Sequence, residues 1–138
     1  MAKDIYHRNV KEALEKDGWT ITDDPLTLLS QEEGGLQTDL GAEKIIVAER
    51  DVERIAVEVK SFLASSIIHE FHEAFGQYQI YLDVLEMGQS DRVMYLAMPN
   101  TVYKLLIKRP FVQFVLRKHR VRLLLFNPVE NNIEQWIK

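Results

Sequence analysis

EKIIVAERDVERIAVEVKSFL, Glu43 to Leu63, is the stretch on which the reading of the fold turns. Two runs rich in apolar and β-branched residues, Lys44 to Ala48 and Arg54 to Lys60, flank a polar, turn-like Glu49 to Glu53, the pattern of a β-hairpin. Side chains alternate across a strand, so Ala56, Glu58, Lys60 and Phe62 share one face of the second run, and Val57 and Val59 point to the other. A carboxylate and an ammonium therefore stand side by side on a strand whose other face is apolar. If helices cover both faces of the sheet, the pair is partly desolvated, and such a pair costs stability unless it is matched or used. Glu58 and Lys60 are the first candidates for a functional site.

Working outward, Thr38-Asp39-Leu40-Gly41-Ala42 leads into the hairpin, which brings Asp39 to the mouth of its first strand. Upstream lies the loop-like Gln31 to Leu36, with paired acids and paired glycines. Before it, Trp19 to Thr22 reads as a short strand, Asp23-Asp24-Pro25 as a turn, and Leu26 to Leu29 as a second extended piece. The chain opens with a helix from about Asp4 to Lys16: Tyr6, Val10, Ala13 and Leu14 form one stripe, Asp4 stands at the N-cap and Gly18 is the stop. Downstream, Ser65 or Ser66 caps a helix to about Met87, whose wide aromatic stripe (Phe71, Ala74, Phe75, Tyr78, Leu82, Leu85) marks it as a core helix. Arg92 to Met98 reads as a buried strand, Pro99 to Thr101 precedes a helical stretch broken near Pro110, and Val121 to Phe126 is a further buried strand. NNIEQWIK adds a short edge strand. Strands alternating with helices imply an α/β fold, a mixed sheet flanked by helices, in a single domain spanning residues 1–138.

The 138 residues suffice for a real core, and the composition is that of an ordinary soluble domain. There is no cysteine, which excludes disulfides, thiolate chemistry and cysteine-bound zinc. No apolar run approaches a membrane span, so a soluble, cytoplasmic protein with no membrane partner is expected. The net charge of −4 conceals a basic end: Thr101 to Arg122 holds seven lysines and arginines and no acid. Lys104, Lys108, Arg109, Arg117, Lys118 and Arg120, interleaved with Tyr103 and Phe114, are candidates for tracking DNA phosphates. The alternative is that these aromatics are core and the charges solvated. His69 and His72 are three apart, whereas a zinc-protease helix needs four, so they read as an exposed turn.

An acidic residue at the start of one strand, Glu-X-Lys on the next strand of a hairpin, and then a long helix form a pattern that resembles the PD-(D/E)XK nucleases. Asp39, Glu58 and Lys60 fill it, and the resemblance implies a restriction-endonuclease-like fold with these three as catalytic residues. Phosphodiester hydrolysis by such a site needs a hard divalent cation, Mg²⁺ or Mn²⁺, held by a few oxygens. Asp39 and Glu58 would supply carboxylates, the Val59 carbonyl would complete the shell, and Lys60 would orient or help deprotonate the attacking water. Gln77 and Tyr81 resemble a Gln-X-X-X-Tyr element that follows the triplet in a subset of these nucleases, which makes them candidates for substrate binding; helix packing is the alternative. Glu-X-Lys alone is common, and a solvated salt-bridged pair is its alternative. Pairing the strands about a turn near Asp51-Val52 sets Ile45 opposite Glu58 and Glu43 opposite Lys60. Either a bulge then returns Asp39 to the site or Glu43 shares its role, and Asp39 is preferred. Glu12 and Glu15, off the apolar stripe of the first helix, read as surface charges.

The runs KDGWTITDDP (Lys16 to Pro25), DLGAEKIIVAE (Asp39 to Glu49), IAVEVKSF (Ile55 to Phe62) and GQYQIYLDVLE (Gly76 to Glu86) are similar to the XisH-type family. These are cyanobacterial proteins named as controlling factors for excision of a DNA element during heterocyst differentiation. The resemblance spans nearly the whole chain. It implies DNA as a ligand, a companion factor of the XisI type, a site-specific recombinase in the same pathway and a nuclease activity. Two functions follow as expectations: a metal-dependent DNA endonuclease-like factor controlling programmed excision, or a non-catalytic accessory protein that uses the fold to bind DNA or a partner such as XisI. Cutting two strands needs two sites, so a homodimer is expected with the first.

Overall fold

The computed structural model describes residues 4–46 and 51–138. Among these residues four α-helices, α1 (His7–Lys16), α2 (Ile67–Met87), α3 (Asn100–Leu106) and α4 (Pro110–Lys118), accompany eight strands. The strands are β1 (Thr20–Asp23), β2 (Leu26–Leu29), β3 (Leu36–Thr38), β4 (Leu40–Ile46), β5 (Asp51–Val59), β6 (Val93–Pro99), β7 (Leu123–Asn127) and β8 (Asn132–Ile137). Six form one mixed sheet in the order β1-β4-β5-β6-β7-β8, and β2 and β3 pair separately. Strands β5, β6 and β7 run parallel, while β1, β4 and β8 join antiparallel. The α/β expectation therefore holds.

Both faces of the sheet are covered, as a parallel centre requires. On one face Ala56, Met94, Leu96, Leu123 and Leu125 pack against Phe71, Ala74 and Tyr78 of α2 and Val102, Leu106, Val112 and Leu116 of α3 and α4. On the other, Leu40, Ile55, Val57, Val59, Tyr95 and Phe126 pack against Val10 and Leu14 of α1, with Trp19 meeting Trp136 at 5.6 Å. The predicted alternation along β5 is thus observed: Ala56 faces α2, and Val57 and Val59 face α1.

Two helix starts are instructive. Ser66 caps α2, its hydroxyl accepting the His69 amide at 3.2 Å, as expected. Asp4 does not cap α1, which begins three residues later. Instead its Oδ1 accepts the Tyr6 amide and its Oδ2 the Ser61 amide, both at 2.9 Å, tying the helix entrance to the chain leaving β5. Gly18, at φ +91°, lets the chain reverse after α1, and the Trp19 amide closes the turn onto the Leu14 carbonyl at 3.0 Å.

The hairpin register differs from the expectation. β5 already starts at Asp51, so Asp51 to Glu53 are strand, and the rest of the expected turn lies outside the described residues. Leu40 pairs with Val57 and Glu43 with Arg54. Opposite charges therefore face each other across the hairpin, with Arg54 Nε 3.5 Å from Glu43 Oε2, a pairing that favours this register over one centred on Asp51-Val52. Glu43 is drawn away from Lys60, and one further step of the ladder sets Asp39 across from Glu58 with no bulge in the β4–β5 pairing.

Candidate functional site

Asp39 stands at the bend between β3 and β4, where the chain passes from the small sheet to the large one. Its Oδ2 accepts the Val59 amide at 2.7 Å, which fixes the carboxylate over the end of β5. The preceding Thr38, 2% exposed, places its hydroxyl 2.9 Å from Glu58 Oε1 and 3.1 Å from the Val57 carbonyl. Lys60 Nζ lies 3.8 Å from Glu58 Oε2, an ion pair without close contact. The face shared by Glu58 and Lys60 and the bend at Asp39 thus bring three predicted residues together.

These groups line a cavity of about 330 Å³ whose other walls include Asp4, His7, Gln37, Gln77 and Tyr81. Gln77 and Tyr81 of α2, expected beside the site from their resemblance to a Gln-X-X-X-Tyr element, do face it, and Gln77 Oε1 is buried with no hydrogen-bond partner among the described residues. His7 was missed. It lies on the buried stripe of α1, three residues from Val10 and seven from Leu14, and is only 6% exposed. Its Nε2 is 2.7 Å from Asp24 Oδ1, and Lys11 holds Asp24 Oδ2 at 2.9 Å. His7 Nδ1 faces Asp39 Oδ1 at 3.8 Å, too far for a hydrogen bond, and is buried without a hydrogen-bond partner among the described residues. The available signal was helical periodicity: a histidine at i−3 and i−7 from core residues must turn inward.

The electrostatics follow from burial. Glu58 is pushed up to about 7 by desolvation and by the charge of Asp39 beside it, with Thr38 and Lys60 acting in the opposite sense. Burial also raises Asp39, against the Val59 amide and His7. Burial of both groups and the charge of Asp39 beside Glu58 thus oppose full ionisation of the pair. Tyr81 is pushed up to about 12 by burial and by the same two acids, and stays a neutral hydroxyl. Asp24 pays for burial, but hydrogen bonds from Lys11 and His7 outweigh it and hold the carboxyl below its ordinary value.

A divalent cation would suit this arrangement, since it would neutralise two neighbouring carboxylates whose ionisation burial opposes. Asp39 Oδ1 and Glu58 Oε2 are the oxygens not engaged by Val59 and Thr38, and His7 Nδ1 is a third potential donor whose other nitrogen is already anchored by a carboxylate. Among the described residues, no three histidine, aspartate or glutamate side chains already stand as a closed coordination set. The Val59 amide is committed to Asp39.

The remaining candidates lie elsewhere. Lys104, Lys108, Arg109, Arg117, Lys118 and Arg120 are exposed on α3, α4 and the adjoining turns, and none lines the cavity. Glu43 is held by Arg54. Glu12 bonds Asn131 at 2.6 Å and Arg8 at 3.4 Å, and neither it nor Glu15 reaches the carboxylate pair. His69 and His72 are exposed on α2. No helix among the described residues is long and apolar enough to cross a membrane.

Fold and site together define a class: an α/β domain carrying two facing carboxylates and a lysine at the end of a central hairpin strand, under a long helix. The chain belongs to the XisH family, whose family model, described as XisH protein, matches residues 1–134. Two solved structures are similar over nearly their whole length. One is an XisH family protein from Nostoc punctiforme, 44% identical with a TM-score of 0.84, covering 98% of this chain and 100% of its own. The other, an fdxN element excision controlling factor protein from Anabaena variabilis, is 42% identical with a TM-score of 0.83, covering 96% and 98%. Among curated proteins none matches.

Proposed function

We propose that this protein is a metal-dependent, restriction-endonuclease-like DNA endonuclease factor acting in the control of programmed DNA-element excision, the role named for the Anabaena variabilis relative. The observation that carries the reading is the Asp39–Glu58 carboxylate pair at the end of β5, Glu58 buried and Asp39 half-buried, with Lys60 at its edge and an open cavity above it. Asp39 and Glu58, with the Val59 carbonyl, would hold Mg²⁺ or Mn²⁺. A cation there supplies charge neutralisation for a phosphodiester and acidifies water. Thr38 and the Val59 amide fix the two carboxylates, Lys60 orients the attacking water and offsets phosphate charge, and neutral Tyr81 and the free Gln77 oxygen position the substrate backbone.

A second reading rests on the basic segment, whose residues stand outside the cavity. In it, the protein is a non-catalytic accessory that binds DNA or an XisI-type companion beside a site-specific recombinase. A homodimer belongs to the first reading.

Titration calorimetry with Mg²⁺ and Mn²⁺, with and without a short DNA duplex, separates the two. Under the endonuclease reading the wild type binds metal, Glu58→Ala does not, and Glu58→Ala and Lys60→Ala each lower cleavage on the order of 100-fold or more while folding is kept. Absence of metal binding in both proteins, with DNA present, would establish the accessory role instead.

A further inference from the structure

A second concavity, of about 730 Å³, opens between α3, α4 and the β7–β8 edge of the sheet. Its floor is apolar, built from Leu116, Val121, Leu123 and Ile137, with the Tyr103 ring as a wall. Arg117, Arg120, Arg122 and Lys138 line it, and among the described residues no acidic side chain does. Such a volume suits a small organic ligand. The carboxylate cavity is a separate place: Glu58 and Leu123 are each paired with Leu96, two strand spacings or ~10 Å apart. Helix α2 stands over the sheet between them, with Gln77 and Tyr81 toward the carboxylates and the Tyr78 hydroxyl accepting the Arg122 amide at 3.1 Å.

Three observations say what the groove is built to take. Arg122 is half-buried, and among the described residues none of the four cations has a carboxylate partner, in a protein whose net charge is −4. A half-buried arginine without an internal counter-ion is matched when an anion arrives from outside. Arg120 sits at φ +48° just past the end of α4, where the Val121 amide returns to the Leu116 carbonyl at 3.0 Å. Glycine is the usual residue at that left-handed position, and an arginine there puts charge at the rim at a conformational cost. Gln113 donates its amide nitrogen to the Ile107 carbonyl, which leaves its side-chain oxygen free as an acceptor on the groove wall.

We infer that this groove binds a nucleoside phosphate, with the aromatic base on the apolar floor beside Tyr103 and the phosphates on Arg117, Arg120 and Arg122. The same chemistry is presented by a free nucleotide and by the 5′-phosphorylated end of a DNA strand. The site is independent of the carboxylate cavity and stands whether or not that cavity is catalytic.

The test is titration calorimetry of the full chain with ADP, with inorganic phosphate as reference and 5′-phosphorylated or 5′-hydroxyl oligodeoxythymidylate as competitors. ADP should bind at least about tenfold more tightly than phosphate, because the floor contributes as well as the arginines. Arg120→Gly should weaken ADP about tenfold while leaving the melting temperature unchanged or higher, since glycine suits the left-handed position. Arg117→Glu should weaken it as well, and Glu58→Ala should bind ADP like the wild type. Displacement of ADP by the phosphorylated but not the hydroxyl strand assigns the ligand to a strand end; displacement by neither assigns it to a free nucleotide. No binding at millimolar ADP, or affinity unmoved by both arginine substitutions, overturns the site. So does competition by any long duplex regardless of its ends, which would make the groove part of a general phosphate track.

Discussion

Glu58 is 7% exposed and lies beside Asp39, so without a cation its ionisation is opposed by both burial and a like charge. Its folded value of about 7 lies above the ordinary 4.5, and the folded protein therefore holds a proton that the unfolded chain releases between those values. The corresponding stability is fully present below about 4.5 and is lost as pH rises through about 7. Glu58→Gln keeps an acceptor for Thr38 and removes the titration. In chelator-treated samples the variant should exceed the wild type by on the order of 2 kcal/mol at pH near 8 in urea unfolding, with the difference shrinking toward pH near 5. An equal difference at both pH values would mean that Glu58 ionises freely in the folded state.

At the scale of elements, β1, β4 and β5 are clipped together by one side chain. Arg92, just before β6, donates to the Ile55 carbonyl at 2.8 Å, to Asp23 at 3.1 Å and to Thr22 at 3.2 Å. It passes directly over Gly41 of β4, where an added Cβ would come within 3.0 Å of both the guanidinium and the Asp23 carboxylate. An added methyl group would oblige these two side-chain ends to shift by a few tenths of an ångström, at the expense of their hydrogen bond. Gly41→Ala should cost about 1–3 kcal/mol in urea unfolding. Combined with Arg92→Ala the losses should be clearly less than additive, since the second substitution removes the atoms the methyl group meets. Full additivity would place the cost elsewhere in β4.

For the whole molecule, stability should be graded across the sheet. Strands β5, β6 and β7 are flanked by strands on both sides and covered by helices on both faces, whereas β1 and β8 are edges. Native-state hydrogen exchange should find the slowest amides in β6 and the central part of β5, with β1 and β8 opening first. The candidate site draws on α1, the β3–β4 bend, β5 and α2, so its geometry depends on the protected centre. Uniform protection from β1 to β8 would contradict this grading and point to a single opening unit.

The sequence by itself determined the local physics: Ser66 as a cap, the core stripe of α2, the two faces of β5, and the side-by-side placement of Glu58 and Lys60. Each depends on residues a few positions apart, where the periods of helix and strand hold whatever the rest of the chain does. Gln77 and Tyr81 were legible only through their resemblance to a Gln-X-X-X-Tyr element, since their spacing alone reads as helix packing. Only the tertiary structure decided the register of β4 on β5, which favoured Asp39 over Glu43, because a hairpin whose turn chemistry is weak is set by cross-strand pairs such as Glu43–Arg54 rather than by the turn. It also decided that His7 looks onto Asp39 and that Asp24 anchors it, a contact between helix and turn that no local spacing encodes. The basic segment divides for the same reason. One run of charge in the chain becomes, once α4 has turned back into β7, a groove that α2 separates from the carboxylates.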